Sequence, residues 1–143
     1  MLIGLQGSDY LDGGNGEDVL LGGLGNDYLA GRDGSDIILG GFGADVILGG
    51  DDSDNLSGGF GNDRFVYSNL GESIATGRDV ITDFMQGSDV LDFVSLAFFG
   101  INAFADVAVT NDGVNTFVSD NNSDFEIELS GVIALNDSDF SWG

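Results

Sequence analysis

Cysteine, proline, histidine and lysine are all missing from this 143-residue chain, and arginine occurs only as Arg32, Arg64 and Arg78. Without cysteine there are no disulfides, and the redox compartment is left undetermined. Without histidine or cysteine a zinc centre lacks its preferred ligands, and a hydrolase triad lacks its base. The shortage of cations excludes more, because 25 acidic residues face three arginines for a formal net charge of -22. Nucleic acid requires a basic stripe, so that partner is excluded, and an anionic membrane would repel such a chain. No apolar run approaches membrane-spanning length, so no membrane insertion is expected, and no N-terminal signal peptide is visible.

Apolar residues nevertheless make up 42% of the chain, too many for a disordered acidic tail. The charge must then be neutralised in the folded state, and bound cations are the direct means. Glutamate occurs only as Glu17, Glu72, Glu126 and Glu128, and the other acids are aspartates. A solvated acidic face mixes both types, whereas sites in tight turns favour the short aspartate side chain.

Residues 4–66 divide into seven nonapeptides without an insertion: GLQGSDYLD, GGNGEDVLL, GGLGNDYLA, GRDGSDIIL, GGFGADVIL, GGDDSDNLS and GGFGNDRFV. Position one is always glycine and position six always aspartate (Asp9, Asp18, Asp27, Asp36, Asp45, Asp54, Asp63). Position eight is always large and apolar (Leu11, Leu20, Leu29, Ile38, Ile47, Leu56, Phe65). Leu2 falls where a further apolar position would be, which predicts that the array continues upstream. Glycines at positions one, two and four suit a turn over the first six residues, and the last three residues suit a short strand. A flexible glycine-aspartate spacer would have no need to hold an aliphatic or aromatic residue at every ninth place.

Two nonapeptides make one coil of turn, strand, turn and strand, so the seven predict about three and a half coils at roughly 4.8 Å spacing. Position-six aspartates of repeats n and n+2 then stack. One edge carries Asp9, Asp27, Asp45 and Asp63, and the other Asp18, Asp36 and Asp54. Each adjacent pair of carboxylates would repel by roughly 3 kcal/mol at ~5 Å and an effective dielectric near 20. A hard divalent cation removes that repulsion. Calcium accepts six to eight oxygen ligands in irregular geometry, whereas magnesium demands a small octahedron and retains water. Calcium is therefore the expected cofactor.

The pattern G-G-x-G-x-D-x-apolar-x resembles the RTX (repeats-in-toxin) family. The resemblance implies an all-β fold, a parallel β-roll, in a protein secreted by Gram-negative bacteria through a type I secretion system. It also implies ligands by position: carbonyls two and four with aspartate six of one turn, and carbonyls one and three with aspartate six two repeats later. Carried onto this chain, Leu5, Gly7 and Asp9 join Gly22, Leu24 and Asp27, while Gly14, Gly16 and Asp18 join Gly31, Asp33 and Asp36. Gly23, Gly25 and Asp27 join Gly40, Phe42 and Asp45, and Arg32, Gly34 and Asp36 join Gly49, Asp51 and Asp54. Gly41, Gly43 and Asp45 join Gly58, Phe60 and Asp63, which makes about five complete sites. Arg32 and Asp52 replace glycine at positions two and four, and their carbonyls serve only if the turn geometry survives.

From Tyr67 the repeat stops, which suggests a roll over residues 1–66 and a C-terminal β cap over 67–143. Residues 79–93 read as strand segments around a turn at Gly87–Ser88. Residues 107–110 and 115–118 read as strands about a turn at Asp112–Gly113, and 125–129 alternate with Phe125, Ile127 and Leu129 inward. A short helix is a candidate around 102–108. This half reads as antiparallel β closing the open end of the roll, since an open coil exposes unpaired strand backbone. D-V-I-T-D-F…G-S-D-V-L-D-F, with FEIELSGV and NDSDFSW, also resembles the segment after the repeats in serralysin-type proteases and in R-modules of mannuronan C-5-epimerases. Asp79 and Asp83 are candidate ligands at the end of the roll, while Asp89 and Asp92 read as turn residues. Residues 137–143 fit either an uncleaved export signal or the last strand of an internal module.

The functional expectation is a non-catalytic calcium-binding module that folds outside the cell, where calcium is millimolar. It would stabilise an upstream passenger domain in the same chain. The alternative is an auxiliary module that binds a polysaccharide such as alginate for a secreted enzyme. Against a third possibility, a stand-alone enzyme, the periodic carboxylates are committed to the repeat, and Glu126 and Glu128 share an outward strand face without a cleft.

Overall fold

The computed structural model describes residues 1–68, 72–73, 77–93, 107–120 and 125–142. In chain order the strands are β1 (Leu2–Gln6), β2 (Tyr10–Asn15), β3 (Val19–Leu24), β4 (Tyr28–Asp33), β5 (Ile37–Phe42), β6 (Val46–Asp51) and β7 (Asn55–Phe60). They continue with β8 (Arg64–Val66), β9 (Val80–Ile81), β10 (Val90–Asp92), β11 (Val107–Asn111), β12 (Thr116–Asp120), β13 (Glu126–Leu129) and β14 (Phe140–Ser141). Two sheets form the walls of the roll, in the orders β1-β3-β5-β7-β9-β13-β12-β11 and β2-β4-β6-β8-β10-β14. Among the described residues the one helical element is the 3-10 turn Asp137–Asp139. No helix among them is long and apolar enough to cross a membrane.

The repeat fixes the stacking. Leu2, Leu20, Ile38 and Leu56 pair in succession along one sheet, and Leu11, Leu29, Ile47 and Phe65 along the other. These are the position-eight side chains, and those from Leu11 to Phe65 are no more than 5% exposed. Each buried aliphatic or aromatic side chain contributes about 1.5–3 kcal/mol, and the two columns form one continuous core. Strands β2 to β7 run from position seven through position three of the next repeat. The turn is therefore confined to positions four to six, shorter than the six residues that glycine content predicts. Pairing of like glycines, such as Gly23 with Gly41 and Gly41 with Gly59, outweighs their weak strand preference.

Parallel stacking also continues past Val66, where a purely antiparallel second half was expected. Leu56 pairs with Ile81 and Ile81 with Leu129, while Phe65 pairs with Leu91 and Leu91 with Phe140. Thus β9, β10, β13 and β14 add coils without the nonapeptide spacing. Antiparallel pairing among the described residues is confined to β11–β12–β13. Phe125, Ile127 and Leu129 face inward as the alternation requires. Of the candidate helix, residues 102–106 lie outside the described residues, and Val107 and Ala108 belong to β11. Tyr67, Phe93, Phe125, Phe140 and Trp142 close the lower core with ring centroids 5.0–6.0 Å apart.

The paired neighbours Ile37 and Ile38 test this assignment, since Ile38 is fully buried and Ile37 is 47% exposed. In denaturant unfolding of the folded chain, Ile38→Ala should cost about 2–5 kcal/mol. Ile37→Ala should change stability by no more than about 0.5 kcal/mol.

Candidate metal centre

The register of the sheets places position-six aspartates directly above one another, and a hydrogen-bond ladder links them. The amide of Asp9 donates to Asp27 Oδ1 at 2.8 Å, that of Asp27 to Asp45 at 2.8 Å and that of Asp45 to Asp63 at 2.9 Å. On the other edge Asp18 donates to Asp36 at 2.7 Å and Asp36 to Asp54 at 2.8 Å. The ladders do not end with the repeats. Asp54 donates to Asp79 Oδ1 and Asp63 to Asp89 Oδ1, both at 3.0 Å.

Only one oxygen of each carboxylate is used in this way. Oδ2 is buried without a hydrogen-bond partner in Asp9, Asp27, Asp36, Asp45, Asp54, Asp63 and Asp79. Buried polar oxygens are normally satisfied, and a set of seven repeated at equivalent positions points to a common ligand. Four of them, in Asp9, Asp27, Asp36 and Asp45, lie beside a backbone carbonyl from the next coil. A Cβ built on Gly22 would stand 2.5 Å from both Asp27 Oδ2 and Gly40 O. On Gly40 it would stand 2.4 Å from Asp45 Oδ2 and 2.6 Å from Gly58 O. The same convergence brings Asp9 to Gly22 O, Asp18 to Gly31 O and Asp36 to Gly49 O. All five pairs of aspartate six with carbonyl one expected from the sequence are therefore brought together.

Of the other predicted carbonyls, those at positions two and three lie at the ends of strands and those at position four in the turns that follow. Leu5 O, Gly23 O and Gly41 O project towards the glycine one coil below, as do Gly7 O, Gly25 O and Gly43 O at position four. The Gly16 and Arg32 carbonyls project in the same way towards Gly34 and Gly50. At position three, Leu24, Asp33, Phe42, Asp51 and Phe60 each accept a position-four amide, from Gly7, Gly16, Gly25, Gly34 and Gly43. A carbonyl has a second lone pair, so this bond leaves room for a cation. Leu5, Arg32 and Asp52 hold positive φ values of 82°, 89° and 82°, the backbone conformation of the glycines they replace. Arg32 turns its guanidinium outward onto Asp12 at 2.7 Å. Among the described residues no three acidic side chains gather at one point. The donor set is thus aspartate pairs with backbone carbonyls, which suits calcium and not a softer metal.

The two end candidates differ. Asp79 is fully buried with Oδ2 unpartnered, like the repeat aspartates. Asp83 accepts from Gly58 N at 3.0 Å, Gly59 N at 2.9 Å and Ser57 Oγ at 2.6 Å. It caps the glycines of β7 beyond the end of β9, with both of its oxygens accepting. Asp89 was legible only as a turn residue, yet it is the foot of one ladder, with Oδ2 accepting from Met85 N at 2.7 Å. Asp92 lies in β10 and pairs with Arg64.

Burial dominates the electrostatics. It pushes Asp54 up to about 7 and Asp63 up to about 6, in each case against an amide that favours the charged form and with help from neighbouring carboxylates. Asp36, Asp45 and Asp89 are raised for the same reason, and Asp79 is raised well above the usual carboxylate range. The buried Tyr67 phenol beside it is also pushed up.

Stacked nonapeptides, two aspartate ladders and glycine turns define an RTX-type parallel β-roll. Residues 11–141 match the family described as Peptidase M10 serralysin C terminal, and the chain belongs to that family. It is 40% identical over 85 residues to mannuronan C5-epimerase AlgE5 of Azotobacter vinelandii, covering 52% of this chain and 8% of the epimerase. The chain therefore spans a small part of that relative. The solution structure of the AlgE6R2 subunit from the Azotobacter vinelandii mannuronan C5-epimerase superposes with a TM-score of 0.61 at 29% identity, covering 96% of this chain and 91% of that one.

The raised carboxyls fix the sign of a pH effect. A carboxyl held higher in the roll than in the unfolded chain favours folding when protonated, and that contribution disappears as pH rises through the folded value. Without calcium, circular dichroism should show β structure gained as pH falls from about 7 towards 3.8, the interval between Asp54 in the roll and an ordinary aspartate.

Proposed function

We propose that this chain is a calcium-binding module that folds when calcium fills its aspartate ladders outside the cell. The observation that carries this is the set of buried Oδ2 atoms without a hydrogen-bond partner at six repeat aspartates, of which those of Asp9, Asp27, Asp36 and Asp45 lie beside a carbonyl of the next coil. Like charges at this spacing oppose folding in a low-calcium cytosol, and the cation supplies the folding free energy where it is abundant. The proposed ligands are the five sets given above, with Asp79 as an additional end ligand and Asp83 as a hydrogen-bonded stop. Residues 1–66 form the metal-binding roll and 67–143 its cap, although both sheets run across that boundary. In this reading the module stabilises an upstream passenger exported by a type I system from a Gram-negative bacterium. No catalytic role is assigned to it.

Similarity to an epimerase module favours a second role, binding of a polyuronate chain. The cations that could meet such a polyanion are already engaged. Arg32 pairs with Asp12, Arg64 with Asp92, and Arg78 with Glu126 and Glu128 at 2.9 Å each. Calorimetry with alginate at saturating calcium decides whether the folded surface binds it; heat at micromolar chain concentration supports the second role.

A calcium titration followed by far-UV circular dichroism should show a cooperative rise in β signal that equal magnesium does not produce. A chain fully folded in chelator and unmoved by calcium would overturn the proposal. Asp45 belongs to two of the five ligand sets, so Asp45→Asn should raise the calcium midpoint at least tenfold. Asp112→Asn, in an exposed turn of the cap, should leave it unchanged.

A further inference from the structure

Asn15 is the one asparagine of the chain that is followed by glycine. Glycine has no Cβ, so its backbone nitrogen reaches the carbon of the preceding side chain with the least hindrance. In a free chain such a pair reacts with no partner except water. The Gly16 nitrogen attacks Asn15 Cγ and closes a five-membered succinimide. The side-chain nitrogen leaves as ammonia, taking up the proton that the Gly16 nitrogen gives up. Water then opens the ring at either carbonyl, which leaves aspartate or isoaspartate with one new carboxyl group.

In the roll both reacting groups are held by one residue of the next coil. The Gly16 amide donates to Asp33 O at 2.7 Å, and Asn15 Nδ2 donates to Asp33 Oδ2 at 3.0 Å. Asn15 ends β2 and pairs with Asp33 at the end of β4. Attack requires the Gly16 nitrogen to lose its proton and turn from Asp33, which breaks this contact between coils. Burial plays no part, because Asn15 and Gly16 are both exposed. The protection is a property of the stacked backbone and is lost whenever β2 separates from β4.

We propose that Asn15–Gly16 is a deamidation site, open in the unfolded chain and closed in the folded roll. Calcium-driven folding is the step that closes it, so in that respect the inference rests on the calcium reading above. The position is also a sensitive one. Gly14 and Gly16 flank Asn15, and their carbonyls belong to one proposed ligand set. Isoaspartate routes the main chain through the former side-chain carbon, which adds a methylene between those two carbonyls. Aspartate instead sets a third carboxylate in the column where Asp33 and Asp51 already pair. A chain held unfolded therefore loses the turn geometry of its second repeat with time, and a folded chain keeps it.

The test incubates the chain at mildly alkaline pH in calcium, in chelator, and in urea with chelator. After denaturation, trypsin releases a fragment ending at Arg32, and tandem mass spectrometry reads the loss of the Asn15 amide. Loss should be roughly tenfold or more slower in calcium than in urea, since only opened chains react. Equal rates in calcium and urea, with circular dichroism showing a folded roll in calcium, overturn the proposal. So does an Asn15 that reacts in urea no faster than Asn26, which precedes aspartate. Fast loss in urea beside equally slow loss in chelator and in calcium upholds closure by the fold and is instead the failure of the calcium reading. After ageing in urea, the chain should need more calcium to refold than an Asn15→Gln chain aged alongside it. Equal midpoints overturn the damage assigned to the second repeat.

Discussion

Everything in this molecule is arranged around carboxylates that divide their two oxygens between different partners. Below Asp9 and Asp18, one oxygen of each ladder aspartate accepts an amide from the coil above, which locks the register. In Asp9, Asp27, Asp36 and Asp45 the other is buried beside a carbonyl of the coil below, two acceptors that repel each other unless a cation lies between them. The glycines follow from this. At position one a side chain would collide with the aspartate Oδ2 or the next coil's carbonyl, and from the third repeat onward one at positions two and four would collide with the neighbouring backbone. The apolar columns then fill the narrow interior that two such ladders leave between them.

That dependence explains which parts were legible in the sequence. Position-six Asp45 and position-eight Ile47 are constrained by every coil they touch, so their periodicity alone gave the stacking, the core and the ladders. The length of the strands was not legible. The dipeptide Gly40–Gly41 has turn chemistry locally, and only pairing with like glycines above and below makes it strand. Asp89 was hidden for another reason. The rungs below the repeats are spaced by 25 and 26 residues in place of 18, so no fixed period leads from Asp63 to Asp89.

Departures from the repeat show where the constraint is on backbone and where it is on side chain. Leu5, Arg32 and Asp52 accept a left-handed backbone that costs roughly 1–2 kcal/mol per residue, because the carbonyl must keep its direction. No departure is seen at position six or position one. Asp83 marks the point at which the roll stops needing glycine, since its carboxylate replaces a strand in holding the amides of Gly58 and Gly59.

Ser73 ties the beginning of the cap to β13. Its hydroxyl accepts the amide of Asp79 at 2.7 Å and donates to the carbonyl of Glu126 at 2.5 Å, across 53 residues of chain. The rungs above it close loops of only 18 residues. Loop-closure entropy grows with the logarithm of length, so the longer closure is less favourable by about 1 kcal/mol. Contacts of low sequence separation also form sooner. Assembly therefore acquires a temporal direction: successive coils zip together first, and the distal hairpin joins last, onto a foundation already set.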